Sequence, residues 1–275
     1  MTFSTCVLCG NDKPFVSLHK WHSRLFQCPQ CRFVGIQPLP AQPIERYSTD
    51  SSLVWEYYSR NSAVGFRNAC EVLNLLALRR STGSLLDVGC ASGIFLEEAH
   101  ARGFEVTGVE PNPRCVDHIR TKMDCSIIQG SIESAALPPG TFDIIHLGDV
   151  LEHFHNPLSV LIRLHDLIKA DGVLIINTPN IQSPITRLFQ VKPEEHLYYF
   201  SASTLRKMLK KCGFEMNSLY HFDPWRALGP LGFSSTFSKS FFGNILRLFM
   251  RTGKIERFCF RLRFQENLLA FCKPL

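Results

Sequence analysis

The sequence has no run of roughly eighteen or more apolar residues, the length a membrane-crossing helix needs, so no transmembrane segment is predicted. No secretory leader is evident and 11 cysteines are scattered along the chain, which predicts a reducing, cytoplasmic setting. The dinucleotide fingerprint G-x-G-x-x-G is missing, which argues against the usual pyrophosphate-binding turn. A broad Lys-rich tract is missing too, which argues against nucleic acid as a partner. Most of the chain also lacks a charge excess. Nine Lys or Arg against three Asp or Glu from Phe222 to Leu275 match the whole net charge of +6, and residues 1–221 balance. What is present is apolar material, 45% of 275 residues, enough for one sizeable core with a small appendage.

The densest signal is LLDVGCASG, residues 85–93. Leu85, Leu86 and Val88 read as a short buried strand, residues 94–103 as a helix, and FEVTGVE (104–110) as a second strand ending in Glu110. Strand, glycine-bearing turn, helix and acid-terminated strand make a nucleotide-binding βαβ unit. Gly89 and Gly93 allow a tight turn and close backbone approach of a ligand. Glu110 lies 17 residues beyond Gly93, placed to accept hydrogen bonds from two ribose hydroxyls. Asp87, beside the turn, suits a ligand carrying an ammonium and a sulfonium and would repel a pyrophosphate.

This pattern resembles motif I, D-x-G-x-G-x-G, of class I S-adenosylmethionine (SAM) methyltransferases, with Ala91 in place of the middle glycine. The resemblance covers roughly residue 84 to the end. It implies an α/β fold with a Rossmann-like seven-stranded sheet of order 3-2-1-4-5-7-6, strand seven antiparallel. It also implies a cosubstrate site at Asp87, Gly89, Cys90, Ala91, Gly93, Glu110, Pro111 and Gly148. The adenine would lie by the loop after a third strand, with Ile132 on its face and Ser131 where relatives often carry an acid. Phe142–Leu147 reads as a fourth strand, followed at the carboxyl edge by G-D-V-L-E-H and then Asn156-Pro157, a helix start. That order resembles the branch containing ubiquinone-biosynthesis O-methyltransferases. A helix to Lys169, a turn over 170–172 and a strand over 173–180 follow; residues 201–213 read as a helix, 214–223 as strand six and 265–273 as strand seven.

Cys6 and Cys9, then Cys28 and Cys31, form two C-x-x-C knuckles. Their separation predicts a structural zinc site of four thiolates over residues 1–40, with redox dithiols or disulfides as the competing reading. So short a stretch could hardly bury enough core without such a staple. With the Pro38, Pro40 and Pro43 linker, the stretch also resembles the zinc-ribbon leader of methyltransferases associated with sugars and surface polysaccharides. Residues 41–83 then read as linker and helical cover, with Phe66, Cys70, Leu73 and Ala77 at helical spacing. In relatives such a cover folds over the SAM pocket, making Tyr47, Tyr57, Tyr58 and Arg67 candidate contacts to the methionine end; the alternative for the tyrosines is packing.

Methyl transfer to oxygen needs a proton acceptor, and histidine suits that task. His153, His196 and His155 are the candidates, with Glu152 to orient His153 or bind an acceptor hydroxyl; His146, inside the fourth strand, reads as core. The basic tail includes an amphipathic insertion around 224–262, read as a lid, a protein interface or a peripheral membrane contact. An N-P-P-Y-like motif after strand four is absent, which counts against RNA modification. The expectation is SAM-dependent O-methylation of a small-molecule or glycan-linked acceptor. The rivals are sugar C-methylation, opposed by the lack of a long carboxyl-terminal domain, and a non-catalytic SAM-binding scaffold.

Overall fold

A computed structural model describes residues 5–40, 62–227, 259–261 and 264–275. Tyr47, Tyr57, Tyr58 and the amphipathic stretch 238–258 lie outside the described residues.

The described chain runs through three short strands, β1 (Val16–Ser17), β2 (Leu25–Gln27) and β3 (Val34–Ile36), then helix α1 (Ser62–Ala77). Alternation follows: β4 (Gly83–Val88), α2 (Ile94–Ala101), β5 (Phe104–Glu110), α3 (Pro113–Lys122), β6 (Ser126–Gln129) and β7 (Phe142–Gly148). A short helical turn over Leu151–His153 leads to α4 (Pro157–Leu167) and β8 (Ile168–Pro179). Then come β9 (Tyr198–Tyr199), α5 (Ala202–Lys211), β10 (Phe214–Phe222), β11 (Arg226–Ala227), β12 (Cys259–Phe260) and β13 (Asn267–Pro274).

Seven strands form one sheet in the order β10-β13-β8-β7-β4-β5-β6. β13 runs antiparallel to both neighbours, while the remaining pairings are parallel. This is the Rossmann-like order expected from the sequence, read from the opposite edge. The central strands are apolar because helices cover both faces: Leu85, Leu86, Ile144, Ile145, Leu174 and Ile176 are fully buried. Asn112 caps α3 through its side-chain oxygen, which accepts from the Arg114 and Cys115 N–H groups, and Pro113 follows at the first helical position. Asn156 and Pro157 repeat the device at α4.

Two local expectations change. The buried face of α1 is Ala69, Val72, Leu73 and Leu76, whereas Phe66 is 48% exposed and Ala77 is exposed. The stripe expected from spacing is therefore rotated, because α1 packs on α2 through Gly65, where a Cβ would sit 3.0 Å from Ile94 Cδ1. The turn expected at Ala170–Gly172 lies inside β8. Ile168 pairs with Phe142 but Val173 with Ile144, so the extra residues are taken up as an irregularity of the strand.

The amino-terminal strands do not stand apart. β1, β2 and β3 form a sheet whose fourth strand is β9, contributed from beyond β8. Gly35 pairs with Tyr198 and Val34 with Tyr199. Phe33 stacks on Tyr198 with ring centroids 5.3 Å apart. Gly35 suits this close approach, since a Cβ would press on Tyr198 Cδ1 at 3.1 Å.

Candidate functional site

The turn after β4 sits at the carboxyl edge of the sheet, where open α/β sheets bind ligands. Gly89 has φ 70°, and a Cβ there would lie 2.8 Å from Val150 Cγ2. Gly93 has φ 82° and would drive a Cβ to 2.7 Å from Ile119 Cγ1, so its role is close packing on α3. Ala91, standing where the motif has a glycine, adopts φ 50°. That left-handed conformation is costly for a residue with a Cβ.

A cleft of about 240 Å³ opens at this turn. Its walls include Gly89, Cys90 and Ala91 from the turn, Asp87 and Gly148 from the strand ends, and Asn68 from α1. Arg67 lies outside it; its guanidinium stacks over Trp225, 4.8 Å from the ring centroid. A larger groove of about 790 Å³ lies at the opposite, amino edge of the strands, away from every residue expected to do chemistry.

Glu110 is buried behind the turn. Its Oε2 accepts from the Ala91 N–H at 2.9 Å and its Oε1 from the Asn112 N–H at 2.8 Å. Each oxygen keeps a second lone pair. Burial pushes the carboxyl up to about 7, against the pull of the two N–H donors. Gly93, Glu110, Pro111, Ser131 and Ile132 do not line the cleft, nor do Glu152, His153 and His196. Ser131 donates to Glu133 Oε2 at 2.9 Å, and Ile132 is buried in the apolar core.

At the end of β7, Asp149 lines the cleft with φ 54°. Its carboxylate accepts from Asn267 Nδ2 at 2.8 Å and Asn177 Nδ2 at 3.2 Å. Three residues on, Glu152 is fully buried; its Oε2 accepts from the Thr178 hydroxyl at 2.9 Å. Burial, then the nearby Asp149 charge, raises Glu152 to about 8. His153 Nδ1 lies 2.7 Å from the Glu195 carbonyl, so Nδ1 carries the proton. Burial holds its pKa below the ordinary histidine value. His196 packs edge-on against it, centroids 4.9 Å apart, and burial depresses it much further. Ligand atoms of Glu152, His153 and His196 all lie within 4.8 Å of one another. His155 is elsewhere; its Nε2 meets the Pro40 carbonyl at 2.9 Å.

The cluster is framed by the amino-terminal sheet. The Leu197 N–H donates to the Glu152 carbonyl at 2.9 Å, and the Leu197 carbonyl accepts from the Ile36 N–H at 3.0 Å. One residue thus ties the turn bearing Glu152 to β3. Spacing alone gave no sign of this link, because β9 is two residues long and pairs across more than 160 positions.

The four amino-terminal cysteines converge. Cys6 and Cys31 Sγ atoms lie 3.6 Å apart, Cys9 and Cys28 3.7 Å, and all four fall within 4.8 Å of one another. A tetrahedron with Zn–S arms of about 2.3 Å has edges of about 3.8 Å. A disulfide would need about 2.05 Å. The described ends of the basic insertion rest on α1: the Trp225 indole N–H donates to Glu71 at 2.7 Å, and Arg261 pairs with the same carboxylate at 3.0 Å.

A family model described as "Methyltransferase domain" matches residues 62–219. The chain is 30% identical over 121 residues to a "Ubiquinone biosynthesis O-methyltransferase, mitochondrial" of Schizosaccharomyces pombe, covering 41% of this chain and 43% of that protein. It is 28% identical over 167 residues to a "Ubiquinone biosynthesis O-methyltransferase" of Vibrio cholerae, covering 54% and 68%. The chain thus spans less than half the length of the first relative and about two thirds of the second. Among solved structures, a TehB-like SAM-dependent methyltransferase from Corynebacterium glutamicum superposes with TM-score 0.52 at 15% identity, covering 82% of this chain and all of that one. A SAM-dependent methyltransferase from Mesorhizobium loti gives TM-score 0.52 at 15% identity, covering 76% and 99%.

Proposed function

Because this chain belongs to the class I SAM-dependent methyltransferases, we propose that it methylates an oxygen of a small-molecule or glycan-linked acceptor at the carboxyl edge of the sheet. The observation that carries this reading is the Glu152–His153–His196 cluster, placed three residues beyond the cleft-lining Asp149. Among the described residues no helix is long and apolar enough to cross a membrane.

SAM supplies a methyl group on a sulfonium, a strong electrophile with a neutral thioether as leaving group. The protein's share is position and proton management. The turn at Gly89–Ala91 lets the ligand approach the backbone. Glu110 offers its remaining lone pairs to the ribose hydroxyls, which would favour its charged form. His153 takes the acceptor's hydroxyl proton, its ring oriented by Nδ1 on the Glu195 carbonyl and by a main-chain hydrogen bond to Asp149. With SAM bound, the chain's part is to hold the acceptor oxygen in line with the methyl carbon and its thioether leaving group. Glu152, held near neutral by burial, serves as a donor or acceptor to an acceptor hydroxyl. Two imidazoles and a carboxylate within 4.8 Å also form a donor set for a divalent cation, the second reading of the same cluster.

The cysteine cluster fits a structural zinc. Its four thiols would close the coordination sphere, so the metal would fold the ribbon and leave no position for substrate. Residues 1–40 would then be a ribbon that walls the acceptor side, residues 41–83 a cover and 84–275 the SAM domain. The basic insertion, anchored at both described ends on α1, is proposed as a contact for an anionic acceptor, a membrane surface or another protein.

Calorimetry with SAM and methylation assays of His153→Ala and His196→Ala test the scheme. A base at His153 predicts a turnover loss of about 10²–10⁴-fold with SAM affinity retained. Wild-type turnover in both variants would remove these assignments. Loss of activity on chelation that an added divalent ion restores would favour the cation reading.

A further inference from the structure

A buried pair at the cleft joins Asp87, expected from the sequence to face the ligand's ammonium, to a histidine that the scheme above does not use. Asp87, at the end of β4, is 3% exposed, and its Oδ1 lies 2.7 Å from Nδ1 of His146 on β7, itself 6% exposed. Both side chains line the cleft. The sequence reads His146 as core because it sits among Ile144, Ile145 and Leu147, yet its face of β7 looks onto α2 and the turn.

Three elements fix the ring. Asp87 holds its Nδ1 from the neighbouring strand. Phe95 of α2 stacks on it with centroids 3.8 Å apart and planes 14° from parallel. Gly148 lies two residues along the same face, and a Cβ there would meet His146 Cε1 at 2.8 Å. Only glycine leaves the ring its place. A buried carboxylate is costly unless its oxygens are satisfied. Replacing a purely structural buried pair with apolar side chains is often neutral or stabilising. Its presence at the wall of a ligand cleft therefore points to the ligand.

We propose that His146 is a positioning residue for the amino-acid end of the cosubstrate. By occupying Oδ1 it sets the carboxylate plane of Asp87, so that Oδ2 is aimed to receive the ligand's ammonium. His146 touches no reacting atom in this role and acts through Asp87. The proposal rests on the reading of the cleft as the SAM site.

The test uses two ligands that differ at the amino-acid end. S-adenosylhomocysteine carries the ammonium; 5′-methylthioadenosine has the nucleoside and a thioether without it. His146→Ala should weaken S-adenosylhomocysteine about tenfold and leave methylthioadenosine within about twofold, the scale of one charge-assisted hydrogen bond. His146→Asn, which keeps a donor near Nδ1, should restore the first affinity to within about threefold. If the alanine variant does not fold, Phe95→Leu releases the ring while leaving the hydrogen bond, and should give the same ligand split at about threefold. Equal weakening of both ligands, or no weakening of either, overturns the proposal. A wild-type protein that binds neither ligand overturns the SAM reading itself, and the wild-type titration alone reveals that case.

Discussion

Replacing Glu110 by glutamine isolates what burial costs at the ribose position. The wild-type carboxyl sits at about 7 against an ordinary 4.5, because desolvation outweighs the N–H groups of Asn112 and Ala91. The folded protein therefore holds this proton more tightly than the unfolded chain. Wild-type stability must fall as pH rises from about 4.5 to 7, and this contribution is level above that. Glutamine ignores pH, but its Nε2 cannot accept the main-chain N–H that a carboxylate oxygen accepts, so the variant carries a fixed cost of about 1–3 kcal/mol. At ~1.4 kcal/mol per pH unit the stability of the variant relative to wild type should therefore rise by ~2.5 kcal/mol between pH 5 and pH 8. In a chain of this size that change is roughly 5–10 °C in the difference between the two unfolding midpoints. Urea or thermal unfolding of ligand-free protein at the two pH values measures it. Calorimetry at pH 8 should show that the variant has lost SAM affinity. Wild-type SAM affinity should itself fall about tenfold between pH 8 and 6, since binding requires the ionised carboxylate. A stability gap equal at both pH values would refute the reasoning, as would SAM binding indifferent to pH.

Ala91→Gly should stabilise the protein by up to about 1 kcal/mol by relieving a left-handed alanine at φ 50°, read from urea midpoints. Gly93→Ala should do the reverse by about 2–3 kcal/mol, because strain at φ 82° is joined by a clash with Ile119. Metal analysis of purified protein should find about one zinc per chain, and Cys28→Ser should lose it together with ribbon stability; no zinc would discard the ribbon assignment.

The parallel core was legible because each β–α step announces itself locally. Apolar runs, a glycine turn and the Asn156-Pro157 helix start are all short-range signals. Glu110 and Asp87 could be singled out since an acid at a strand end has few structural reasons to be there. The phase of α1 was misread because Phe66 shares the apolar spacing; the close approach through Gly65 to Ile94 decides which face turns inward. His146 was hidden by its neighbours: an apolar strand looks the same whether one side chain meets core or cleft. The joining of β3 to β9 had no local signature, since its partners are Val34, Gly35, Tyr198 and Tyr199, and nothing in either segment names the other.

That joint has a consequence for how such a protein can be cut or recombined. Removing residues 1–40 would bare the outer edge of β9 and expose Tyr198, Tyr199 and Phe200, now almost wholly shielded from water. The truncated remainder would present an unpaired, aromatic strand border, a template for sticking to its own copies. An exchange of ribbons between relatives would succeed only if residues 194–200 travelled with the graft, so the two ends of this sheet must vary as one inherited unit.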